Sequence, residues 1–338
     1  MSDIAATNTT IGRRGAAAAS WTAPDARRYL QLALAAIWLL DGVLQFQPYM
    51  FTRPFATGML APTAQGNPAV IADPITSVAK MISHHPVPWN AAFAVIQVLL
   101  GVGIAWRPTL KAALAASIAW SLGVWWFGEG LGGVLAGGVN LVNGAPGAVI
   151  LYALLAVLLW PARESATVPA TAGRPFGLRP AGAVAERPVG VPTARLLWLV
   201  LWGSFVYFTL EASSRAPQAW HDMIAGMADG EPGWLASIDR HTASLLAHQG
   251  LTASIVLAVV LVVIALGVFL PAPLTRVTLV MALVVTAFVW VVGENLGEIL
   301  AGGQATDPNS GPLLALVVLA YWPLRTRVDP ASAAEVTE

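Results

Sequence analysis

Two acidic, glycine-rich segments are the places where this sequence could carry chemistry. Residues 128–138 read Gly-Glu-Gly-Leu-Gly-Gly-Val-Leu-Ala-Gly-Gly, and residues 293–303 match them at eight of eleven positions, including the carboxylate. A carboxylate that follows an apolar stretch could accept a proton or bind a cation, so Glu129 and Glu294 are the leading ligand or proton-site candidates. The alternative is an acid at the membrane interface that is hydrogen-bonded to loop backbone.

Four further polar residues join this candidate set. Glu298 lies one helical turn beyond Glu294, which predicts two carboxylates on one helix face. Asp41 stands inside an apolar stretch, so it should face the interior of a helix bundle, either in a functional role or paired with a neighbouring helix. Gln47 and Glu211 correspond at a spacing of 164 residues, each at the end of a first apolar stretch.

Histidines suggest a second kind of chemistry. His84 and His248 correspond at the same 164-residue spacing. Together with methionines in the same loops they could bind copper or zinc, and methionine favours copper. The spacing matches no known metal motif, so hydrogen-bonded loop histidines are the alternative. Paired histidines inside apolar stretches, which haem would need, are absent from the sequence.

Glycine and tryptophan spacings predict packing. Gly128 and Gly132, like Gly293 and Gly297, are four residues apart, a spacing that lets membrane helices approach closely. A pair of tryptophans, Trp125 and Trp290, precedes these glycines. They predict packing within the bundle or at the interface, with the stacking of a quinone ring as the alternative.

Composition places the chain in a lipid bilayer. Hydrophobic residues make up 57% of it and charged residues only 11%, against about a quarter in soluble domains. Several apolar stretches approach the ~20 residues that cross a bilayer. The net charge of zero gives no indication of nucleic-acid binding, and the absence of cysteine excludes disulfides and thiolate metal ligands.

The paired segments predict an internal duplication. We expect an all-α, polytopic membrane protein with eight transmembrane helices in two parallel four-helix repeats, plus interfacial amphipathic helices in the outer loops. Asp73-Pro74 is the predicted start of the first interfacial helix. The predicted spans are 29–46, 89–106, 110–127, 147–160, 196–210, 253–270, 274–292 and 312–322. The predicted domains are a disordered tail 1–28, repeats 29–161 and 194–324, a cytoplasmic linker 162–193 and a tail 325–338.

Basic residues predict the orientation. With the N-terminus in the cytoplasm, fourteen of the 18 Lys and Arg residues lie on the cytoplasmic side. The four on the outer side are Arg53, Lys80, Arg215 and Arg240. The sequence therefore predicts a multi-pass protein of the cell membrane with both termini cytoplasmic, and it places all five histidines and both acidic glycine segments on the outer face.

Residues 32–48, Leu-Ala-Leu-Ala-Ala-Ile-Trp-Leu-Leu-Asp-Gly-Val-Leu-Gln-Phe-Gln-Pro, followed by a long outer loop in a unit of four spans, resemble DoxX-like membrane proteins. In this chain the unit would occur twice. The resemblance implies a four-helix membrane unit, and some DoxX-like members are associated with thiosulfate:quinone oxidation or other quinone-linked redox roles. No family motif assigns a catalytic residue.

Three functions follow as hypotheses, and they leave open whether the protein is an enzyme. The first is a redox subunit linked to a quinone or to copper or zinc, with an outward-facing site. The second is a proton-coupled transporter that uses the paired carboxylates Glu129 and Glu294. The third is a non-enzymatic scaffold or assembly factor with a membrane or extracytoplasmic protein partner.

Overall fold

A computed structural model describes residues 23–161 and 182–324 of the chain, and these residues form helices and loops without a β-strand. Most of the predicted linker and of both tails lies outside the described residues. So do seven of the fourteen basic residues assigned to the cytoplasmic side, namely Arg13, Arg14, Arg163, Arg174, Arg179, Arg325 and Arg327.

The first described range contains five α-helices. They are α1 (Ala23–Leu44), α2 (Ala69–His84), α3 (Pro86–Ala105), α4 (Leu110–Phe127) and α5 (Val149–Leu158). Short 3-10 or π-helical turns connect α1 to α2 at Pro48–Phe51, Phe55–Leu60 and Ala61–Ala64. The bounds of α4 coincide with the predicted span 110–127.

The second described range contains seven α-helices. They are α6 (Glu186–Val189), α7 (Val191–Thr209), α8 (Ala219–Met227), α9 (Gly233–Leu246), α10 (Gly250–Gly267), α11 (Ala272–Phe288) and α12 (Ser310–Ala320). A π-helical turn, Val289–Gly293, continues α11.

Within the described ranges, five helices are long and apolar enough to cross a membrane. They are Pro86–Ala105, Arg107–Phe127, Val191–Thr209, Gly250–Gly267 and Ala272–Gly293. The chain is therefore a helical membrane protein. Helix α1 is as long, but it carries Asp25, Arg27, Arg28 and Asp41. Helices α5 and α12 are apolar but short, and the ten residues of α5 extend only ~15 Å at 1.5 Å per residue.

The two short helices lie at the centre of the bundle. Most side chains of α5 and α12 are buried, and the two helices contact each other. Around α5, α1 packs on α3, α3 on α4 and α4 on α5; around α12, α7 packs on α10, α10 on α11 and α11 on α12. One apolar core includes buried residues from both described ranges. The fold therefore surrounds two short, apolar helices with longer ones.

Three details differ from the sequence predictions. The predicted start of the first amphipathic helix at Asp73-Pro74 is wrong, because α2 begins at Ala69, directly after the extended backbone of Pro68. Residues at the end of the predicted linker are structured, since Ala185 is buried and its N–H donates to the Ala320 carbonyl. Helix α8, which the sequence analysis missed, is short and held by Trp220, whose indole N–H donates to Ser254.

Candidate functional site

Both acidic segments leave their helix in a left-handed turn. The φ angles are 58° at Leu131 and 62° at Gly132, and 57° at Leu296 and 77° at Gly297. A left-handed conformation costs an L-residue ~1–2 kcal/mol, so a turn that contains a leucine in this region must be held by other contacts. The turn directs the chain back toward α5 in one case and toward α12 in the other.

These turns correct two predictions. The glycine spacing does not mark a helix–helix contact, because Gly132 and Gly297 lie in non-helical backbone where an added Cβ would meet Pro146 and Pro308. Gly128 is the C-cap of α4, and Gly293 packs against Val142 of a loop. The prediction that Glu298 shares a helix face with Glu294 is also wrong, since the helix ends between them and Glu298 is exposed.

Glu129 and Glu294 each cap the short helix that follows in the chain. The Glu129 carboxylate accepts a hydrogen bond from the Val149 N–H of α5, at 3.1 Å. The Glu294 carboxylate accepts from the Gly311 N–H of α12, at 3.0 Å, and from the Ser310 hydroxyl. The first N–H groups of a helix lack partners within the helix, and Ala148 at the start of α5 supplies no side-chain cap. Both glutamates therefore accept hydrogen bonds from backbone, as expected under the alternative to a proton or cation site.

The paired tryptophans hold the returning segments in place. The Trp125 indole N–H donates to the Pro146 carbonyl at 2.7 Å, and the Trp290 indole N–H donates to the Pro308 carbonyl at 2.9 Å. Both prolines lie just before the N-terminus of the short helix that follows. The tryptophans are thus packing residues with a defined hydrogen-bonding role.

Burial raises the pKa of both carboxyls, which lie just beyond the candidate spans that end at Phe127 and Gly293. The pKa of Glu129 rises to about 8 and that of Glu294 to about 7, chiefly because burial disfavours the charged form. The Asp307 carboxyl nearby raises both further. The hydrogen bonds that Glu294 accepts from Ser310 and Gly311 favour its charged form.

Gln47 and Glu211 connect loops from the two described ranges. The Gln47 side-chain amide donates to the Ala305 carbonyl at 3.0 Å, and the Glu211 carboxylate accepts from the Gly138 N–H at 3.3 Å. Each residue at the end of a first long helix therefore contacts the loop that follows the other acidic segment. Neither residue lines the cavity described next.

A cavity of about 360 Å³ lies where α1 and α4 end and α3 and α5 begin, beneath α2. Its apolar wall includes a row of aromatic rings. The ring centroids of Trp89 and Phe93 are 6.4 Å apart, and those of Phe93 and Trp120 are 5.7 Å apart. On α1 and α5, Trp38 and Tyr152 also line the cavity, with centroids 4.2 Å apart.

Most polar residues of this cavity carry hydrogen-bond acceptors, and the hydroxyls of Thr63 and Thr306 lie beside them. Asp41 is 2% exposed, and one of its oxygens accepts from the Tyr152 hydroxyl while the other has no partner among the described residues. The side-chain oxygens of Gln45 and Gln97, residues 5% and 8% exposed, likewise lack partners there. Glu129 and Asp307 complete the polar lining. Of the described residues around the cavity, none is a lysine, arginine or histidine.

Asp41 is buried in the bundle interior, as the sequence predicts, and its bond to Tyr152 of α5 is a contact with a neighbouring helix. Gln97 and Asp307 were missed. Gln97 had the same signal as Asp41, a polar side chain inside an apolar stretch. Asp307 reaches the cavity from the loop before α12, where it accepts from the Asn309 N–H at 2.7 Å, and no spacing in the sequence marks it.

The positions 164 residues further along the chain carry other side chains. At the 164-residue spacing, Phe205 stands for Asp41 and Leu261 for Gln97, and both are 0% exposed. Thr209, also buried, stands for Gln45. Glu294 does not line the cavity either. At this spacing, two of the three polar side chains are therefore replaced by apolar ones.

The histidines are not part of this cavity. His84 is the last residue of α2, and the His248 ring lies 3.4 Å from the Gln218 amide. Among the residues that the structure describes, no group of three or more His, Cys, Asp and Glu residues could hold a metal ion. The suggested copper or zinc site at His84 and His248 gains no support from this geometry.

No family model, curated protein or solved structure matches the chain.

The cap on α5 predicts that Gly147→Ala destabilises the protein. Gly147 has a φ of 101°, and an added Cβ would collide with the Glu129 carboxylate. We expect the melting temperature in detergent to fall by several degrees, a destabilisation of roughly 1–3 kcal/mol. Gly203→Ala is the matched control, because a Cβ at this exposed position of α7 meets nothing within 4 Å. Equal melting temperatures for the two variants would contradict the cap.

The raised pKa of Glu129 predicts a pH-dependent stability. A carboxyl whose pKa rises on folding from 4.5 to about 8 stabilises the fold below pH 4.5 and loses that contribution as the pH rises through 8. We expect the melting temperature to fall across this window, and less steeply in Glu129→Gln. Glu294→Gln should instead remove the fall in melting temperature that comes from ionisation of Glu294, a fall that ends near pH 7. Thermal unfolding from pH 4 to 9 measures this, and a Glu129→Gln slope equal to that of the wild type would refute it.

Proposed function

We propose that the protein binds a small amphipathic molecule in the cavity beside Asp41 and carries it in exchange with, or together with, protons. The observation that carries the proposal is the buried Asp41, whose side chain lines a cavity with an aromatic wall and has one oxygen without a partner among the described residues. A buried polar group without a partner costs ~1–3 kcal/mol, and a bound hydrogen-bond donor would remove that cost. Concave, mostly apolar cavities with a few convergent polar groups are typical of small-molecule sites.

Proton coupling rests on Glu129. Its carboxyl lines the cavity and has a pKa of about 8, so its protonation can change near physiological pH. A ligand that prefers one protonation state shifts this equilibrium, and linkage requires the reverse effect on ligand affinity. Of the two paired carboxylates, only Glu129 is proposed to couple to protons, because Glu294 does not line the cavity.

The proposal also includes the full membrane arrangement. Eight spans, in two parallel four-helix units, would consist of the five long helices together with α1, α5 and α12. The short α5 and α12 would not span the bilayer core alone, and the protein around them would cover their ends. The matching turns, carboxylate caps and tryptophan bonds support the duplication, and the DoxX-like resemblance of residues 32–48 remains part of the proposal.

Orientation follows the basic residues. The protein would lie in the cell membrane with both termini in the cytoplasm. The cavity would then face outward, because it lies at the end of α1 that is away from the N-terminus. Lipid is then the main partner.

A quinol-linked redox role is the second candidate. The acceptors and aromatic rings of the cavity suit the hydroxyls and the ring of a quinol as well as other amphipathic donors. Under this hypothesis, the carboxyls would take the protons that leave the quinol, and a protein partner would take its electrons.

Ligand binding can be tested with a matched variant. Purified protein is screened by thermal shift against small amphipathic alcohols, amines and quinols, and we expect a subset to raise the melting temperature by a few degrees. Gln97→Leu places in the cavity the residue that the corresponding position already has, Leu261, and should abolish these shifts. Gln249→Leu, at an exposed position outside the cavity, is the control.

Transport is measured in proteoliposomes with a pH-sensitive dye inside. A ligand gradient should change the internal pH in the wild type and not in Glu129→Gln. Absence of any stabilising compound, or equal shifts in wild type and Gln97→Leu, would overturn the proposed function.

A further inference from the structure

We infer that the ligand of this cavity is an organic cation, an ammonium group with an apolar body. The inference rests on the proposed function and names its substrate class. The observation behind it is the combination, in one cavity, of three carboxyl groups, unpartnered acceptors and aromatic rings without a basic side chain.

Charge balance is the first step. Asp41, Glu129 and Asp307 all line the cavity, and none has a salt-bridge partner among the described residues. Carboxylates removed from water must be paired or protonated, since an isolated buried charge is costly. Because the lining described here lacks lysine, arginine and histidine, the compensating positive charge must come from protons or from the ligand.

Hydrogen-bond chemistry is the second step. An ammonium group has three donors and no acceptor. The unpartnered oxygens of Asp41, Gln45 and Gln97 are acceptors, each on a residue at least nine-tenths buried. Either end of a glutamine amide could face the cavity, but an ionised Asp41 carboxylate can only accept. An ionised Asp41 therefore requires a donor on the ligand group that it contacts.

The aromatic wall is the third step. The row of Trp89, Phe93 and Trp120 and the pair of Trp38 and Tyr152 flank the polar residues. Aromatic faces attract cations, with indole the strongest, and they also cover an apolar body. An inorganic cation would leave this wall without a function, whereas an ammonium attached to a hydrocarbon group uses both parts of the cavity.

Binding would release protons. A cation near Glu129 favours its charged form, so a carboxyl that is largely protonated at pH 7 loses its proton when the cation binds. The other titratable groups that face it are Asp307, Asp41 and Tyr152. One positive charge enters as one leaves, and no bond other than O–H breaks. A neutral quinol or alcohol would not displace protons in this way.

The experiment compares charged and neutral ligands of one shape. Calorimetric titrations of the full chain in detergent use 2-phenylethylammonium, 2-phenylethanol and decylubiquinol, each at pH 7 in two buffers of different ionisation enthalpy. We expect the ammonium to bind and to release protons, and the alcohol to bind roughly tenfold or more weakly. Asp41→Asn should weaken ammonium binding by at least about tenfold and leave the alcohol within about twofold.

Further variants distinguish a failure of this inference from a failure of the proposed function. Gln45→Leu removes an acceptor without touching Tyr152, and serves if Asp41→Asn does not fold. Gln249→Leu, at an exposed position outside the cavity, should bind like the wild type. If the alcohol or the quinol binds as tightly as the ammonium, without proton release, and Gln97→Leu abolishes this binding, the inference is overturned and the proposed function stands. If no probe binds, both are overturned.

Discussion

The unpaired N–H groups of two short helices at the centre of the bundle are the constraint on which this structure depends. Helices α5 and α12 begin inside the protein, where water cannot satisfy their first backbone N–H groups. Glu129 and Glu294 supply the missing acceptors from the preceding segment. A negative group at a helix N-terminus also interacts favourably with the helix dipole. The left-handed turns and the tryptophan hydrogen bonds position each glutamate close to the first N–H groups of its helix.

Glu129 and Glu294 cap their helices in the same way, but the side chains in the two parts of the chain differ. At the 164-residue spacing, Phe205 and Leu261 stand for Asp41 and Gln97, and both are fully buried. Asp41 and Gln97 themselves line the cavity together with Glu129. The two acidic segments therefore have the same capping arrangement, while the side chains at the 164-residue spacing differ.

The sequence predicted those features that depend on local pattern. The apolar run 110–127 fixed the bounds of α4, the position of Asp41 in an apolar stretch predicted its burial, and the paired segments pointed to Glu129 and Glu294. It did not predict the turn at Leu131, because a leucine adopts a positive φ only where contacts distant in sequence hold it, such as that of Trp125 with Pro146. Asp307 was missed for the same reason, since its approach to Glu129 depends on how the two halves pack.

The two caps do not depend on charge to the same extent. An ionised carboxylate accepts an N–H hydrogen bond more strongly than a neutral carboxyl does, so protonation of Glu129 weakens its hold on α5. Glu294 accepts from the Ser310 hydroxyl as well as from backbone, which favours its ionised form and lowers its pKa relative to that of Glu129. The start of α5 is thus held by backbone N–H donation to Glu129, whereas the start of α12 also has the Ser310 hydroxyl as a donor to Glu294.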